Sequence, residues 1–560
     1  MEALPQLSLL AVGAGLFTGI VSLVFRTGID FVLGTWLLSD GPESFETLGY
    51  AQRLLLPLAG ALALAAMLGR LPPETLRVGV VHVMERLSRH QGYLPLRNAL
   101  VQFFGGIVAL VSGQSGGREG PAVHLGAASS SLLGQAFKLP NNSIRTLVAC
   151  GVAAAIAGSF NTPIAGVIFA MEVVMMEYTM GSFIPVIIAA VTSTLLTHYF
   201  LGSAPAFSVA PAAMHSLLEI PYIVFAGVVI GCAAAAFIQL VQLFARLNAW
   251  PFWVRALLAG SITALAAVTT PEVMGVGYDT VNGAMIGKLT LWILAGVVLM
   301  KSLCSAAAVG LGLPVGLIGP TFVIGAALGG ILGLLGGQFQ GEVATTTGFY
   351  VMLGMAAMMA AVLQAPLAAL MAVMELTSNP KLILPAMLII VVATLVSSVL
   401  FRQRSVFLST LNTLGLQYPP GPVQLHLQRA GVAAIMDRRF ARLNFVCPRA
   451  DALSALSGNP RWIVIETGPG DVRSVLSASD LLAYLDEHGI AEEIALLKIP
   501  GMRLDAGNVD MRATVQEAQD ILRGSGPEAL CVRRTSAPMI SSVVGVITQA
   551  DIDNYRESTA

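Results

Sequence analysis

The sequence predicts an all-α polytopic membrane protein made of two related halves, followed by a small soluble α/β domain. Three observations lead there: long runs without charge, a glycine–proline spacing that occurs twice, and a change of composition after Leu416. Of the 560 residues, 55% are hydrophobic and 11% charged. Runs free of Asp, Glu, Lys and Arg occupy 3–25, 98–117, 146–171, 178–218, 220–245, 302–341, 343–374 and 382–401. A spanning helix needs roughly 20 apolar residues. These runs therefore exceed what a soluble core requires, and 178–218 and 302–341 each have room for two short segments. The lipid bilayer is the first partner the chain implies. The opening run lacks a basic flank and a clear cleavage site, and is expected to be a retained helix rather than a signal peptide.

The repeat is read directly. Residues 117–134 are GREGPAVHLGAASSSLLG and residues 316–333 are GLIGPTFVIGAALGGILG. Gly117, Gly120, Pro121, Gly126 and Gly134 match Gly316, Gly319, Pro320, Gly325 and Gly333 in spacing. A second pair follows, NTPIAGVIFAME (Asn161 to Glu172) and QAPLAALMAVME (Gln364 to Glu375). Two halves with glycine-broken apolar segments point to a transporter or channel with its site at the repeat interface. The membrane part is expected over 1–415, with halves of about 50–205 and 220–405.

A proline-rich linker covers 416–428, and 429–560 has frequent charges with short apolar strands. Within it SVLSASDLL (Ser474 to Leu482) parallels GVITQADID (Gly545 to Asp553), each a strand, a hydroxyl residue and a helix-opening Asp. Arg402 and Arg404 close the last apolar run and favour a cytoplasmic C-terminal domain. With no organelle signal in the sequence, the bacterial inner membrane is the expected location. A net charge of −1 gives nucleic-acid binding no electrostatic support. Cys150, Cys232, Cys304, Cys447 and Cys531 have no metal-ligand or disulfide spacing. No metal site is expected, and no nucleophile–base constellation marks an enzyme.

Arg118 and Glu119 stand between uncharged runs, where a charge is costly and by default functional. The structural alternative is a mutual salt bridge at a helix end. Gly116, Gly117, Gly120 and Pro121 describe a chain that breaks and restarts as a helix with proline in its first turn. Gly316 to Pro320 repeats the device. Helix starts offer free N–H groups and the positive end of a dipole, which suit an anion.

GREGP, GLIGP, the paired TPIAG and APLAA segments, and the soluble repeat together resemble the CLC family of chloride channels and proton-coupled anion exchangers, with a C-terminal CBS pair (Bateman module). The resemblance implies an inverted internal repeat, a homodimer with one pore per subunit, and transport of chloride or a related small anion. It makes Glu119 the gating glutamate, a tethered competitor of the anion that protonation removes. Gly117, Arg118, Gly120, Gly316, Leu317 and Ile318 would surround the anion, with the N–H groups of Leu317 and Ile318 as donors. Three departures follow from the same alignment. The anion-contacting serine becomes Val78, the tyrosine near the last membrane helix becomes Phe407, and the inner proton-relaying glutamate becomes Val173. A site without its hydroxyls holds a dehydrated anion less tightly, and valine cannot pass a proton. These losses favour a passive channel gated by Glu119. Proton-coupled exchange of chloride, fluoride or nitrate is the alternative, with Glu172, Glu177 or water as another proton route.

In the soluble domain, Ser477, Asp480, Thr548 and Asp551 occupy positions where CBS modules contact adenine nucleotides; a ligand-free structural module is the competing reading. A CBS-regulated divalent-cation transporter would need carboxylates at depth, and few are present. A membrane-tethered nucleotide sensor without transport would leave Arg118, Glu119 and the duplicated glycines unexplained. His124 is expected to pack or hydrogen-bond, with proton relay as the alternative, Glu172 and Glu375 to cap or pair, and Lys301 to snorkel to an interface.

Overall fold

A computed structural model describes residues 4–38, 43–203, 207, 214, 216–340, 346–416, 427, 430–468, 471–488, 492–524, 526–537 and 540–559. Nearly all of the expected 416–428 linker lies outside the described residues. The chain divides into two compact units, one of 1–137 and 144–419, the other of 138–143 and 420–560.

The membrane unit is helical throughout. Its first half contains α1 (Leu4–Val32), α2 (Tyr50–Leu68), α3 (Gly79–Arg89), α4 (Leu96–Val111), α5 (Glu119–Ala136), α6 (Asn141–Phe160), α7 (Pro163–Phe169) and α8 (Met180–Leu201). The second contains α9 (Ile220–Ala245), α10 (Phe252–Thr269), α11 (Tyr278–Met285), α12 (Leu291–Gly310), α13 (Ile318–Gln340), α14 (Thr347–Leu363), α15 (Pro366–Thr377) and α16 (Ile383–Leu395). A short α17 (Val406–Thr413) follows. Nine helices among the described residues are long and apolar enough to cross a membrane. Four shorter apolar helices accompany them, as broken segments require. The repeat reaches further back than residue 50, because α1 packs on α8 just as α9 packs on α16.

Local sequence sets the breaks. Asn161 and Gln364 take left-handed backbone angles, φ 60° and 54°, two residues before Pro163 and Pro366 open α7 and α15. A proline at this position gives up no helical hydrogen bond. The repeated glycines inside α5 and α13 have a different purpose. Gly126 faces the backbone of Gly151 on α6, and Gly325 faces Gly354 on α14. Helices in lipid gain no hydrophobic drive from one another, so close backbone approach through small residues supplies the packing. α14 is buried on every side, consistent with its uniformly apolar sequence.

The C-terminal unit repeats as the sequence indicates. Strands β1 (Phe440–Asn444), β3 (Trp462–Gly468), β4 (Asp471–Ser477), β6 (Arg503–Asp510), β7 (Ala529–Ala537) and β8 (Ile540–Thr548) form one sheet in that order. A two-stranded sheet joins β2 (Val446–Pro448) to β5 (Glu493–Ala495). β1 pairs parallel with β3 and β3 antiparallel with β4; β6, β7 and β8 repeat that pattern. Helices Ala478–Glu487 and Gln549–Thr559 follow β4 and β8 at the two matched segments. This α/β arrangement fits a CBS pair.

The glycine contacts give a direct expectation. A β-carbon at Gly325 would strike the Gly354 carbonyl and stand 2.8 Å from the Met358 β-carbon. Overpacking of this kind costs about 1–3 kcal/mol. Gly325→Ala should lower the thermal unfolding midpoint in detergent, and an unchanged midpoint would show that α13 and α14 separate freely.

Candidate anion site and gate

The two repeats meet at their helix starts. Gly117 and Gly316 form an isolated antiparallel bridge, each N–H donating to the other's carbonyl at 2.7 Å. Only glycine fits there: a β-carbon on Gly120 would stand 2.6 Å from the Gly316 α-carbon. α5 and α13 each begin two positions later, with Arg118 and Leu317 as the preceding residues. The first N–H groups of both helices lack intrahelical acceptors and converge on this crossing.

Glu119 is the first residue of α5 and is fully buried. Its Oε1 accepts a hydrogen bond from the Tyr278 hydroxyl. Oε2 has no partner and lies against the crossing, where a β-carbon on Gly319 would stand 3.0 Å from it. Tyr278 is itself fixed on several sides. Glu43 accepts its backbone N–H at 2.9 Å. The rings of Phe207 and Phe160 lie 5.5 and 6.2 Å away, and the Arg118 guanidinium sits 5.5 Å above the Tyr278 ring. Arg118 pairs with Asp30 at 3.7 Å, so the alternative of a mutual Arg118–Glu119 bridge is not what forms.

Lys301 differs from expectation. It does not snorkel: it is fully buried, and its ammonium donates to the carbonyls of Val273 and Gly275 at 3.0 and 2.9 Å. Those bonds satisfy a charge in apolar surroundings and hold the loop that presents Tyr278.

On the other side of the crossing is a cavity of about 470 Å³. Val78, Gly120, Gly316, Leu317, Ile318 and Phe407 all line it, which brings the separate sequence candidates together. Gly117, Arg118 and Glu119 are not in its lining. Gln102 fixes the geometry, accepting from Gly79 N–H at 2.8 Å and donating to the Pro314 carbonyl at 2.9 Å. It thereby ties the Val78 turn to the loop before α13. Arg77, Arg246 and Arg255 face the cavity against a single carboxylate, Glu85, and give it an anion-attracting field. Its two hydroxyl side chains, Thr410 and Thr413, already donate to the Val406 and Ser409 carbonyls at 2.8 and 2.9 Å. The lining thus offers an anion backbone N–H groups and cationic charge, without an uncommitted hydroxyl.

Val173 is buried in the irregular turn Ala170–Met175. Glu172 beside it accepts the N–H groups of Leu367 and Ala368 at 3.2 and 2.7 Å, capping α15. Glu375 accepts those of Ile164 and Ala165 at 3.0 and 2.8 Å, capping α7. His124 is hydrogen-bonded to His82 at 2.9 Å.

In the C-terminal unit, Asp480 accepts Met502 N–H at 2.6 Å and Ser477 bonds Ser479. Asp551 accepts Thr548 N–H and hydroxyl at 2.9 and 2.7 Å and pairs with Arg461 at 3.3 Å. Arg461 also meets Asp437. Partial burial opposes ionisation of Asp437, but bonds from Arg439 and Arg461 prevail and hold its carboxyl below the ordinary range.

Tyr278 and Gln102 were not singled out from sequence, and Lys301 reads there only as an interfacial lysine. A signal for Tyr278 existed, because Val78-Gly79 recurs as Val276-Gly277 at an offset of 198 (276 − 78), close to the 199 of the glycine motifs (316 − 117).

Two expectations follow from this geometry. The Tyr278 hydroxyl holds the Glu119 carboxylate at the crossing, so Tyr278→Phe should loosen that side chain and raise anion flux measured at a fixed pH; an unchanged flux would show that the bond has no bearing on the gate. Restoring a donor by Val78→Ser or Phe407→Tyr should tighten anion binding by about 1.5–3 kcal/mol. Calorimetry showing no gain would separate these positions from the anion.

A sequence profile described as voltage gated chloride channel matches residues 59–398. A ClcB-like chloride channel protein of Ralstonia nicotianae is 32% identical over 365 residues, spanning 63% of this chain and 85% of the relative. The H(+)/Cl(-) exchange transporter ClcA of Yersinia pseudotuberculosis is 28% identical over 406 residues, 70% of this chain and 84% of its own. A slow cyanobacterial Cl-/H+ antiporter superposes with a TM-score of 0.63 at 22% identity, covering 74% of this chain and 99% of that one. A eukaryotic CLC transporter does so at 0.59 and 19% identity, covering 98% of this chain and 97% of its own. The helical repeat, the glycine crossing and these matches agree: the chain belongs to the CLC family of anion transport proteins.

Proposed function

We propose that this protein exchanges protons for chloride or a related small anion, with Glu119 as the gate. The observation that carries the reading is the Glu119 carboxylate at the crossing of two helix starts. One oxygen takes the Tyr278 bond and the other is unbonded, while the cation-lined cavity lies beyond. In that position the carboxylate competes with an anion for the same N–H field, and a proton that neutralises it releases the path. Transport of anion and uptake of proton then act on one group.

Val173 favours a passive channel, and the ClcB-like relative carries a channel name. Exchange is better supported. The Yersinia ClcA relatives are named as proton/chloride exchangers, and the structural neighbours include a chloride and a fluoride antiporter of this fold. We further infer a homodimer in the bacterial inner membrane, its C-terminal domain cytoplasmic beyond Arg402 and Arg404. Asp480 and Asp551 are spent on local hydrogen bonds, which favours a structural CBS pair over an adenine-nucleotide site.

The test is chloride efflux from proteoliposomes, with voltage clamped by valinomycin and external pH recorded. Exchange predicts proton entry coupled to chloride exit. Chloride exit alone would establish the channel. Glu119→Gln, which mimics the protonated gate, should give chloride flux that varies little with pH and carries no protons; retained pH dependence would remove Glu119 from the gate.

A further inference from the structure

Two imidazoles are buried between the cavity and the gating helix. His82, on α3, is 4% exposed and lines the cavity. Its Nδ1 is 2.9 Å from Nε2 of His124 on α5, and the rings are 5.2 Å apart. His124 is fully buried, and its Nδ1 has no partner. An orphaned nitrogen at such depth is costly and calls for a reason. One helical turn separates His124 from Gly120, which reaches the same cavity. Glu119 is five residues away, about 7.5 Å of helical rise. α3 also packs against the Ala170–Met175 turn that carries Val173.

We propose that His82 and His124 form the proton-loading site of this transporter, passing protons between the cavity and Glu119 in place of the carboxyl group absent at Val173. This rests on the exchange reading above. The transfer balances. Cavity water gives a proton to His82 Nε2 while His82 Nδ1–H passes its own to His124 Nε2. His124 releases its Nδ1 proton toward the first turn of α5, where the Glu119 carboxylate accepts it. Both rings end neutral in the opposite tautomer and one proton has moved; each ring regains its starting tautomer by taking up a proton at Nδ1 and losing the one at Nε2, with water as donor and acceptor.

The charged surroundings are defined. Arg77, Arg86 and His90 act on His82 together with His124, and Arg77 is paired with Glu85. Of the other elements against α3, α17 has no titratable group, and the Ala170–Met175 turn brings Glu172, which caps α15. Around α5, α1 brings Arg26 and Asp30, α4 brings Arg97, α13 brings none, and α6 brings Cys150 and the buried Arg145, which donates to the Leu87 carbonyl on α3.

The experiment records chloride and proton fluxes together in proteoliposomes of wild type, His82→Asn and His124→Gln. Each amide keeps a polar atom near the bonded ring nitrogen but cannot relay a proton. The expected result is wild-type coupling, with the proton-to-chloride ratio falling at least tenfold in either variant while chloride still moves. Val173→Glu added to His82→Asn should recover coupling. An unchanged ratio in either variant that still moves chloride overturns the proposal. A wild type that moves no protons overturns the exchange reading, and this one with it, a result distinct from the first. Continued chloride flux reports folding for each variant, and either one alone decides the matter.

Discussion

The structure turns on the reciprocal backbone bridge between Gly117 and Gly316. Two helix starts reach one point only if no side chain intervenes, and a β-carbon on any of Gly117, Gly120, Gly316 or Gly319 would meet backbone or the Glu119 carboxylate. The bridge satisfies one N–H and one carbonyl on each strand while leaving the next N–H groups directed at the site. On the proposed function, an anion at the crossing would be held by dipoles and hydrogen-bond donors instead of a fixed cation. Such binding is firm enough to dehydrate an ion and weak enough to release it. The glycine packing of α5 on α6 and of α13 on α14 anchors the two starts behind the crossing.

Around that bridge the two halves are alike in backbone and unlike in side chains. The Val78-Gly79 turn opens on the cavity, and its counterpart Val276-Gly277 delivers Tyr278 to Glu119. One repeat therefore lines the cavity, and the other supplies the donor to the Glu119 carboxylate. The supports differ accordingly. Gln102 ties the first turn to Pro314, whereas Lys301 and Glu43 fix the second. Duplication gives the frame, and substitutions at matching positions give it direction.

Sequence revealed the frame because glycine and proline report backbone needs locally. The doubled G-x-x-G-P spacing located both helix starts, and the Pro163 and Pro366 pair located α7 and α15. Val78 and Phe407, distant in sequence, do share one cavity with Leu317 and Ile318. What stayed hidden depends on contacts made across the fold. Lys301 reads as an interfacial lysine in a one-dimensional pattern, and only the loop folded over it makes burial tolerable. Tyr278 lies 159 residues from Glu119, and no local spacing joins a phenol to a carboxylate. The repeat offset alone could have drawn attention to it.

Glu119, Glu172 and Glu375 each lie at a helix start of the repeated frame, and they differ in how fully they are coordinated. Glu172 and Glu375 each use both carboxylate oxygens, accepting two N–H groups from the opposite half's helix. Charge-assisted bonds contribute roughly 1.5–3 kcal/mol apiece, so each cap is held twice and links the two halves. Glu119 has one bond from Tyr278 and an unbonded oxygen at a start that an anion can also occupy. It is the least coordinated of the three and has the most direct competitor. The same chemistry, a carboxylate at a positive helix end, is thus a fixed strut where donors saturate it and, on the proposed function, a gate where they do not. Completing the coordination of Glu119 would convert the gate into a third strut.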